Sequence, residues 1–310
     1  MNKFIVTTTI NSPTEALEKY IKFQKSKGWK LIVVGDLKTP HNTHDSGLYQ
    51  YMTPVQQAEK YGELSEVIGW NSISRRSIGI VEAYHQGADV IATVDDDNIP
   101  YDDWSDDLYV GQTTKIDMFI RDLHVFDPLS TTEHDHIWHR GYPIEYLQDR
   151  HLGQWVGQEY RYVKVQADLW NGDPDVDAIC RITHAPEVIF EDMEPFGVRD
   201  AFSPFNSQNT FLAREVIPDY MLFPHTGRMD DIWASYVLES KHPNSVIYNR
   251  ASVYQKRNPH DLTVDLENEM LGYKYSKKLL DRLYSGNDYR DILPDGAKKF
   301  EAVYRKALGV

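Results

Sequence analysis

Apolar positions along residues 1–100 fall into alternating strand-like and helix-like stretches. Phe4 to Ile10 is a β-branched run and predicts a strand. Ser12 as N-cap, Pro13 at the first helical position and Glu15 three residues after the cap predict a helix start. Leu17, Tyr20 and Ile21 form its apolar stripe, and Gly28 closes it. Lys30 to Val34 predicts a second strand, ending in Gly35-Asp36. Strand, helix, strand makes a βαβ unit with a parallel pair and a right-handed crossover. Residues 37–69 are less regular, with a short helix opening at Thr53-Pro54 and carrying Gln56, Gln57 and Tyr61. From Asn71, Ile73, Ile80, Val81 and Tyr84 keep a helical spacing up to Gly87, with Arg75 and Arg76 in the N-terminal half. Val90 to Val94 is then an unbroken apolar run that stops at Asp95-Asp96-Asp97. Such a run predicts a strand buried on both faces.

The rhythm changes beyond residue 100. Long helices are scarce up to about residue 212, and β-like pieces such as Met118 to Ile120 and Arg161 to Val165 stand among aromatics, His, Pro and Gly. A helix is predicted over Asp230 to Ser240, strands over Ser245 to Tyr248 and Ala251 to Tyr254, and helices over 263–284 and 294–308. The whole reads as α/β: a Rossmann-like nucleotide-binding half (1–100), a second, mixed half (101–262) completing one domain (1–262), which the resemblance named below makes the acceptor or sugar half of a catalytic domain, and a helical C-terminal extension (263–310). The G-x-G-x-x-G and P-loop signatures are both missing, so phosphates would have to be held by a metal and arginines.

Bulk properties narrow the chemistry. The 310 residues carry a net charge of −14, which argues against a general duplex nucleic-acid partner. No apolar run approaches a membrane span and the N-terminus has no signal-peptide layout. With Cys180 the only cysteine, no intrachain disulfide can form, and the expected compartment is the cytoplasm. A homo-oligomer is compatible with all of this.

The candidate chemistry begins at the acids that end the Val90–Val94 run. Asp95 and Asp97 are alternate residues of an extended segment, so both carboxylates can face one spot, where a divalent cation with phosphate oxygens would relieve their repulsion. Asp97 is the better direct ligand, with Asp95 acting through water or a ribose and Asp96 beside them at the bound nucleotide. The competing reading is an Asp-rich surface turn. Asp36 is placed either to accept from a base or ribose, or to close a turn after Gly35. Thr7 to Thr9, Thr8 among them, could line a nucleotide. Arg75 or Arg76, with Arg76 preferred, should reach the diphosphate. Arg228-Met229-Asp230-Asp231 opens a helix. Its acids either complement the helix dipole or supply a general base, and which of the two would act stays open. His134, His136 and His139 lack a tight ligand pattern, and Trp155, Tyr160, Trp170 and Trp233 could stack on a sugar or belong to the core.

These residues carry a resemblance. Val6 to Ile10, Trp29 to Pro40, Asn71 to Asp97, Arg140-Gly141-Tyr142-Pro143, Asn206 to Thr210, Gly227 to Trp233 and Arg257 to Leu262 resemble, in order, the STELLO-type glycosyltransferase domain. The three aspartates, Arg-Gly-Tyr-Pro, Ala167 to Trp170 and Asp230 to Trp233 are also similar to plant reversibly glycosylated polypeptides, the UDP-arabinopyranose mutases. The resemblance implies a GT-A fold, a nucleotide-sugar donor (a UDP-sugar), an acceptor, and Mn2+ or Mg2+. It implies His260 as a third metal ligand beside Asp95 and Asp97, Arg228 at the donor, and Asp230 or Asp231 as base. In mutase-like relatives the residue matching Arg140 becomes glycosylated, which makes a pyranose–furanose mutase one alternative; a non-catalytic nucleotide-sugar-binding protein is the other. Those relatives carry a second arginine where this chain has Leu147.

Overall fold

The computed structural model describes residues 1–44, 46–257 and 261–310. In chain order its elements are β1 (Lys3–Thr9), α1 (Glu15–Ser26), β2 (Trp29–Gly35), β3 (Gln50–Met52), α2 (Pro54–Lys60), α3 (Gly62–Ile68), α4 (Arg76–His85), β4 (Val90–Val94) and β5 (Asn98–Pro100). There follow β6 (Thr113–Ile120), β7 (Gln154–Tyr162), β8 (Val165–Gly172), α5 (Ala178–His184), β9 (Phe196–Arg199), β10 (Asn209–Ala213), α6 (Asp230–Lys241), β11 (Val246–Gln255), α7 (Leu262–Tyr284) and α8 (Asp295–Leu308). Short 3-10 turns connect several of them.

Among the described residues the eleven strands make one mixed sheet, in the order β3-β2-β1-β4-β10-β8-β11-β9-β6-β7, with β5 pairing β11. The first four are parallel, and β10 turns antiparallel against β4. This is the expected α/β architecture, with a mixed sheet and C-terminal helices. All five residues of β4 are buried, as an unbroken apolar run requires. Gly79 lets α4 lie close on the sheet: a Cβ there would stand 2.6 Å from Val6 Cγ1 and 2.8 Å from Val34 Cγ2. An aromatic knot around Trp104 joins α1 to the sheet, with Phe23 stacked at 5.6 Å and Phe211 tilted at 5.1 Å. The C-terminal helices pack onto the sheet domain. α8 lays Ala297, Phe300, Tyr304 and Leu308 against α3 and α4, and α7 packs on α5 and α6. Burying each such large apolar side chain contributes roughly 1.5–3 kcal/mol.

Several boundaries differ from the expectation. The N-cap of α1 is Thr14, not Ser12, because its hydroxyl both accepts from the Leu17 N–H at 3.3 Å and donates to the Asp96 carbonyl at 2.5 Å. The strand expected over 161–165 is divided: Arg161 and Tyr162 end β7, Val165 begins β8, and Val163-Lys164 turn between them, with the Val163 N–H donating to Gln112 O at 2.9 Å. The two strands expected over 245–254 are one, β11, with a register shift between Asn249 and Val253.

Register decides what this fold brings together. Thr9 pairs with Gly35, Asn209 with Val94, and Gly172 with Gln255. One edge of the sheet therefore collects Asp36, Asp95 to Asp97, Asn206 to Gln208, Asp173 to Asp175 and Lys256-Arg257. In open α/β sheets, ligands bind outside the carboxyl ends of the parallel strands, and that is this edge.

Candidate functional site

The three acids after β4 have three different environments. Asp95 forms an ion pair with the fully buried Arg76 at the start of α4. Asp96 Oδ2 accepts from Thr9 Oγ1 at 2.5 Å and from Asn11 Nδ2 at 3.1 Å, and burial raises its pKa. Among the described residues, Asp97 Oδ1 is buried without a hydrogen-bond partner. Burial pushes the Asp97 carboxyl up to about 7, the charges of Asp95 and Asp96 push the same way, and Arg257 opposes them. Asp96 separates two clefts. One, of about 260 Å³, is lined by Thr8, Thr9, Asp36, Lys38, Ser72, Ile73, Arg75 and Asp96. The other, of about 360 Å³, is lined by Asn11, Thr14, Asp96, Asp97, Lys256 and Arg257.

Both predicted arginines are held by groups of the protein, and Arg75 also lines the first cleft. Arg75 turns toward α2 and α3: it donates to Gln57 Oε1 at 2.9 and 2.6 Å, to Ser65 Oγ at 2.8 Å and to the Gly69 carbonyl at 2.7 Å, and it stacks 3.6 Å above the Trp70 ring. Arg76 points inward, where Nη1 donates to Ser207 O at 2.7 Å and Oγ at 2.6 Å while Nη2 serves Asp95 and, at 3.4 Å, Thr8 Oγ1. Asp36 lines the first cleft and accepts from the Leu37 N–H at 2.6 Å and the Ser72 N–H at 3.2 Å, so the turn-forming role is filled.

Ser207 connects this cluster to the acid pair of α6. Its N–H and hydroxyl donate to Asp231 Oδ2 at 2.9 and 3.1 Å. Arg140 binds the same carboxylate with both Nη groups, at 3.0 and 3.1 Å, and grips Asp175 through Nε and Nη2 at 2.9 and 2.8 Å. A further bond from Nη1 to the Arg228 carbonyl uses its fifth N–H. Arg140 is thus buried with every N–H engaged, and a reaction at its nitrogen would first have to break this network. Burial alone would raise Asp175, but Arg140 holds it well below the usual carboxylate range. Arg228 reaches Glu269 at 2.7 Å and Asp265 at 3.4 Å, so it too is engaged by carboxylates.

Asp230 is different. It accepts one hydroxyl, Ser74 Oγ at 3.2 Å, and burial followed by the Asp231 charge pushes it up to about 7. A carboxyl in that range suits a proton acceptor working at neutral pH.

His260 lies outside the described residues. Among those described, no group of three or more His, Cys, Asp or Glu side chains is placed to enclose a metal ion. The orphaned Asp97 oxygen nevertheless fits a cation that shares its shell with a ligand's oxygens. Trp170 and Trp233 are core residues, whereas Trp155 and Tyr160 are 61% and 76% exposed on β7. Sequence reasoning gave no role to Arg257, Ser207 or Asp175. The first two stand inside the resemblance blocks, which was the available signal; Asp175 had none.

Gly141, in the Arg-Gly-Tyr-Pro block, has φ +86° and sits against Ile232 of α6, where a Cβ would collide with Cγ2. Gly141→Ala is expected to lower stability by roughly 2–4 kcal/mol, read by thermal denaturation. An unchanged Tm would show that α6 is free to yield.

No family model matches the chain. Two curated plant proteins from Arabidopsis thaliana do, "Probable glycosyltransferase STELLO2" and "Probable glycosyltransferase STELLO1". Each is 27% identical over 220 residues, covering 65% of this chain. The match spans 27% of each relative's own length. No mutase is among these relatives, and no helix among the described residues is long and apolar enough to cross a membrane. With the expected mixed α/β fold in place, the chain is similar over about two thirds of its length to proteins named as STELLO glycosyltransferases.

Proposed function

We propose that the chain is a cation-dependent glycosyltransferase that moves a sugar from a nucleotide-diphosphate carrier, a UDP-sugar, to an acceptor hydroxyl. The observation that carries this reading is the Asp97 oxygen, buried and without a hydrogen-bond partner among the described residues, on the cleft at the carboxyl edge of the sheet. The glycosyltransferase names of the two relatives point the same way.

In this reading Asp97, with Asp95 beside it, would hold Mn2+ or Mg2+, which when bound neutralises charge on the departing diphosphate. Lys256 and Arg257 line the same cleft as Asp97 and add positive charge for phosphate oxygens. Thr8, Asp36 and Asp96 form the wall for the nucleoside. Asp230 takes the acceptor's proton. Arg140 and Ser207 hold Asp231, so that a fixed negative charge beside Asp230 keeps its proton affinity high. Asp95, Arg76, Ser207 and Asp231 form one continuous chain of contacts, which sets the donor end and the acceptor end in a fixed relation.

The test is mass spectrometry of products after incubating the whole chain with a panel of UDP-sugars, Mn2+ and candidate acceptors. Sugar transfer, or slow donor hydrolysis, is expected for at least one donor and lost in EDTA. Neither transfer nor hydrolysis across the panel would overturn the reading.

A further inference from the structure

Helix α6 carries another buried carboxyl near its opposite end, beside a cavity that the proposed transfer does not use. This cavity measures about 460 Å³ and its lining includes Asp200, Phe202, Glu239, Asn244, Leu283 and Tyr284. Glu239 is only 5% exposed, and both its carboxyl oxygens face a single donor, the Ser203 N–H, at 3.0 and 3.2 Å. Burial raises its pKa well above the usual carboxylate range, which favours the neutral acid. A neutral carboxyl also has an O–H to donate, and the Ser203 contact uses the side chain only as an acceptor. Among the described residues, the lining contains no Lys or Arg. Phe202 and Tyr284 supply ring surfaces, the latter 54% exposed. Asp200 brings a second carboxylate to the rim, held by its own N–H to Asn244 Oδ1 at 3.0 Å.

A buried acid with no counter-ion, a second acid at the mouth and aromatic walls together make an environment complementary to an organic cation. We propose that this cavity binds a primary ammonium group on a slim alkyl stem, with Glu239 as counter-ion at the floor and the Phe202 and Tyr284 rings along the stem. The stem is that of a lysine side chain or of a polyamine end. Entry of the cation converts Glu239 to carboxylate and releases its proton to solvent, so charge balances inside the cavity. The phenols of Tyr236 and Tyr248 are the other buried titratable groups that sense Glu239. Burial holds both well above their usual range, so neither supplies that proton at neutral pH.

The test is calorimetry on the whole chain with two probes, spermidine and Nα-acetyl-lysine methylamide, in two buffers of different ionisation enthalpy. Saturable binding of at least one probe in the millimolar range or tighter is expected. Its heat should depend on buffer as release of one proton requires, and the tighter probe identifies the source. Glu239→Gln keeps an acceptor for the Ser203 N–H and is expected to weaken binding about tenfold or more. Tyr284→Leu, at an exposed position, should weaken it severalfold and decides the matter if Glu239→Gln does not fold. Absence of binding by both probes, buffer-independent heat, or unchanged affinity in the folded variants would overturn the proposal. None of these readouts depends on glycosyl transfer.

Discussion

Asp97→Asn is expected to stabilise the metal-free chain and, by the same change, to remove cation-dependent nucleotide binding. The two effects share one cause. Among the described residues Asp97 Oδ1 is buried without a hydrogen-bond partner, and its carboxyl is pushed up to about 7 by burial and by Asp95 and Asp96. A carboxyl raised in the folded state contributes fully to stability only below its unfolded pKa, near 4. It loses that contribution as pH climbs through the folded value. In EDTA the wild type should therefore lose stability relative to Asp97→Asn between about pH 4 and about pH 7, with the gap reaching on the order of 3 kcal/mol above that range. An amide has no charge to desolvate and so escapes the penalty. Adding Mn2+ with UDP should raise the Tm of the wild type and leave the variant nearly unmoved, with nucleotide affinity weakened by about a hundredfold or more. Thermal denaturation with and without EDTA, and calorimetry with UDP and Mn2+, check both halves. If Asp97→Asn retains wild-type manganese-dependent affinity, the cation is not held by Asp97.

What the sequence could disclose follows from how local each signal is. The run Val90–Val94 and the acids behind it needed only neighbouring residues to be read, and β4 and its cleft follow from them. The Thr53 capping box and the ends of α7 and α8 were likewise local. Which arginine faces what was not local. Arg75 and Arg76 are adjacent, alike in type and at the same helix start, yet one packs under Trp70 and the other under Ser207. Only the placement of α4 on the sheet, set by Gly79 against Val6 and Val34, separates them. The same holds for Asp95 and Asp97. Spacing puts them on one side, but it cannot say that Arg76 neutralises the first and leaves the second bare. Thr14 displaced Ser12 as cap because its partner, the Asp96 carbonyl, lies far away in sequence. Asp175 is the extreme case. Nothing in its own neighbourhood marks it, and its role exists only because β8 and β11 end side by side and Arg140 arrives from a loop.

Asp230 and Asp231 differ by one position and should fail in opposite ways. Asp231 accepts two bonds from Arg140 and two from Ser207. Asp231→Asn removes the charge opposite a buried guanidinium, and losing one partner of such a pair costs about 3–5 kcal/mol. Its principal effect should be a fall in Tm, with activity reduced in step with the folded fraction and with the disturbed Asp230. Asp230→Asn keeps the Ser74 contact and removes a carboxyl that burial and Asp231 already push up to about 7. That variant should be as stable as wild type at neutral pH or more so, by the sign argument used for Asp97, yet lose transfer about 100- to 10,000-fold as a missing general base does. The wild-type rate should rise with pH through about 7, as the Asp230 carboxylate forms, and this limb should vanish in Asp230→Asn. Tm, kcat and the pH profile measured on both variants separate the roles. An active Asp230→Asn beside a stable, inactive Asp231→Asn would invert the assignment and would require Arg140 to release Asp231 during the reaction.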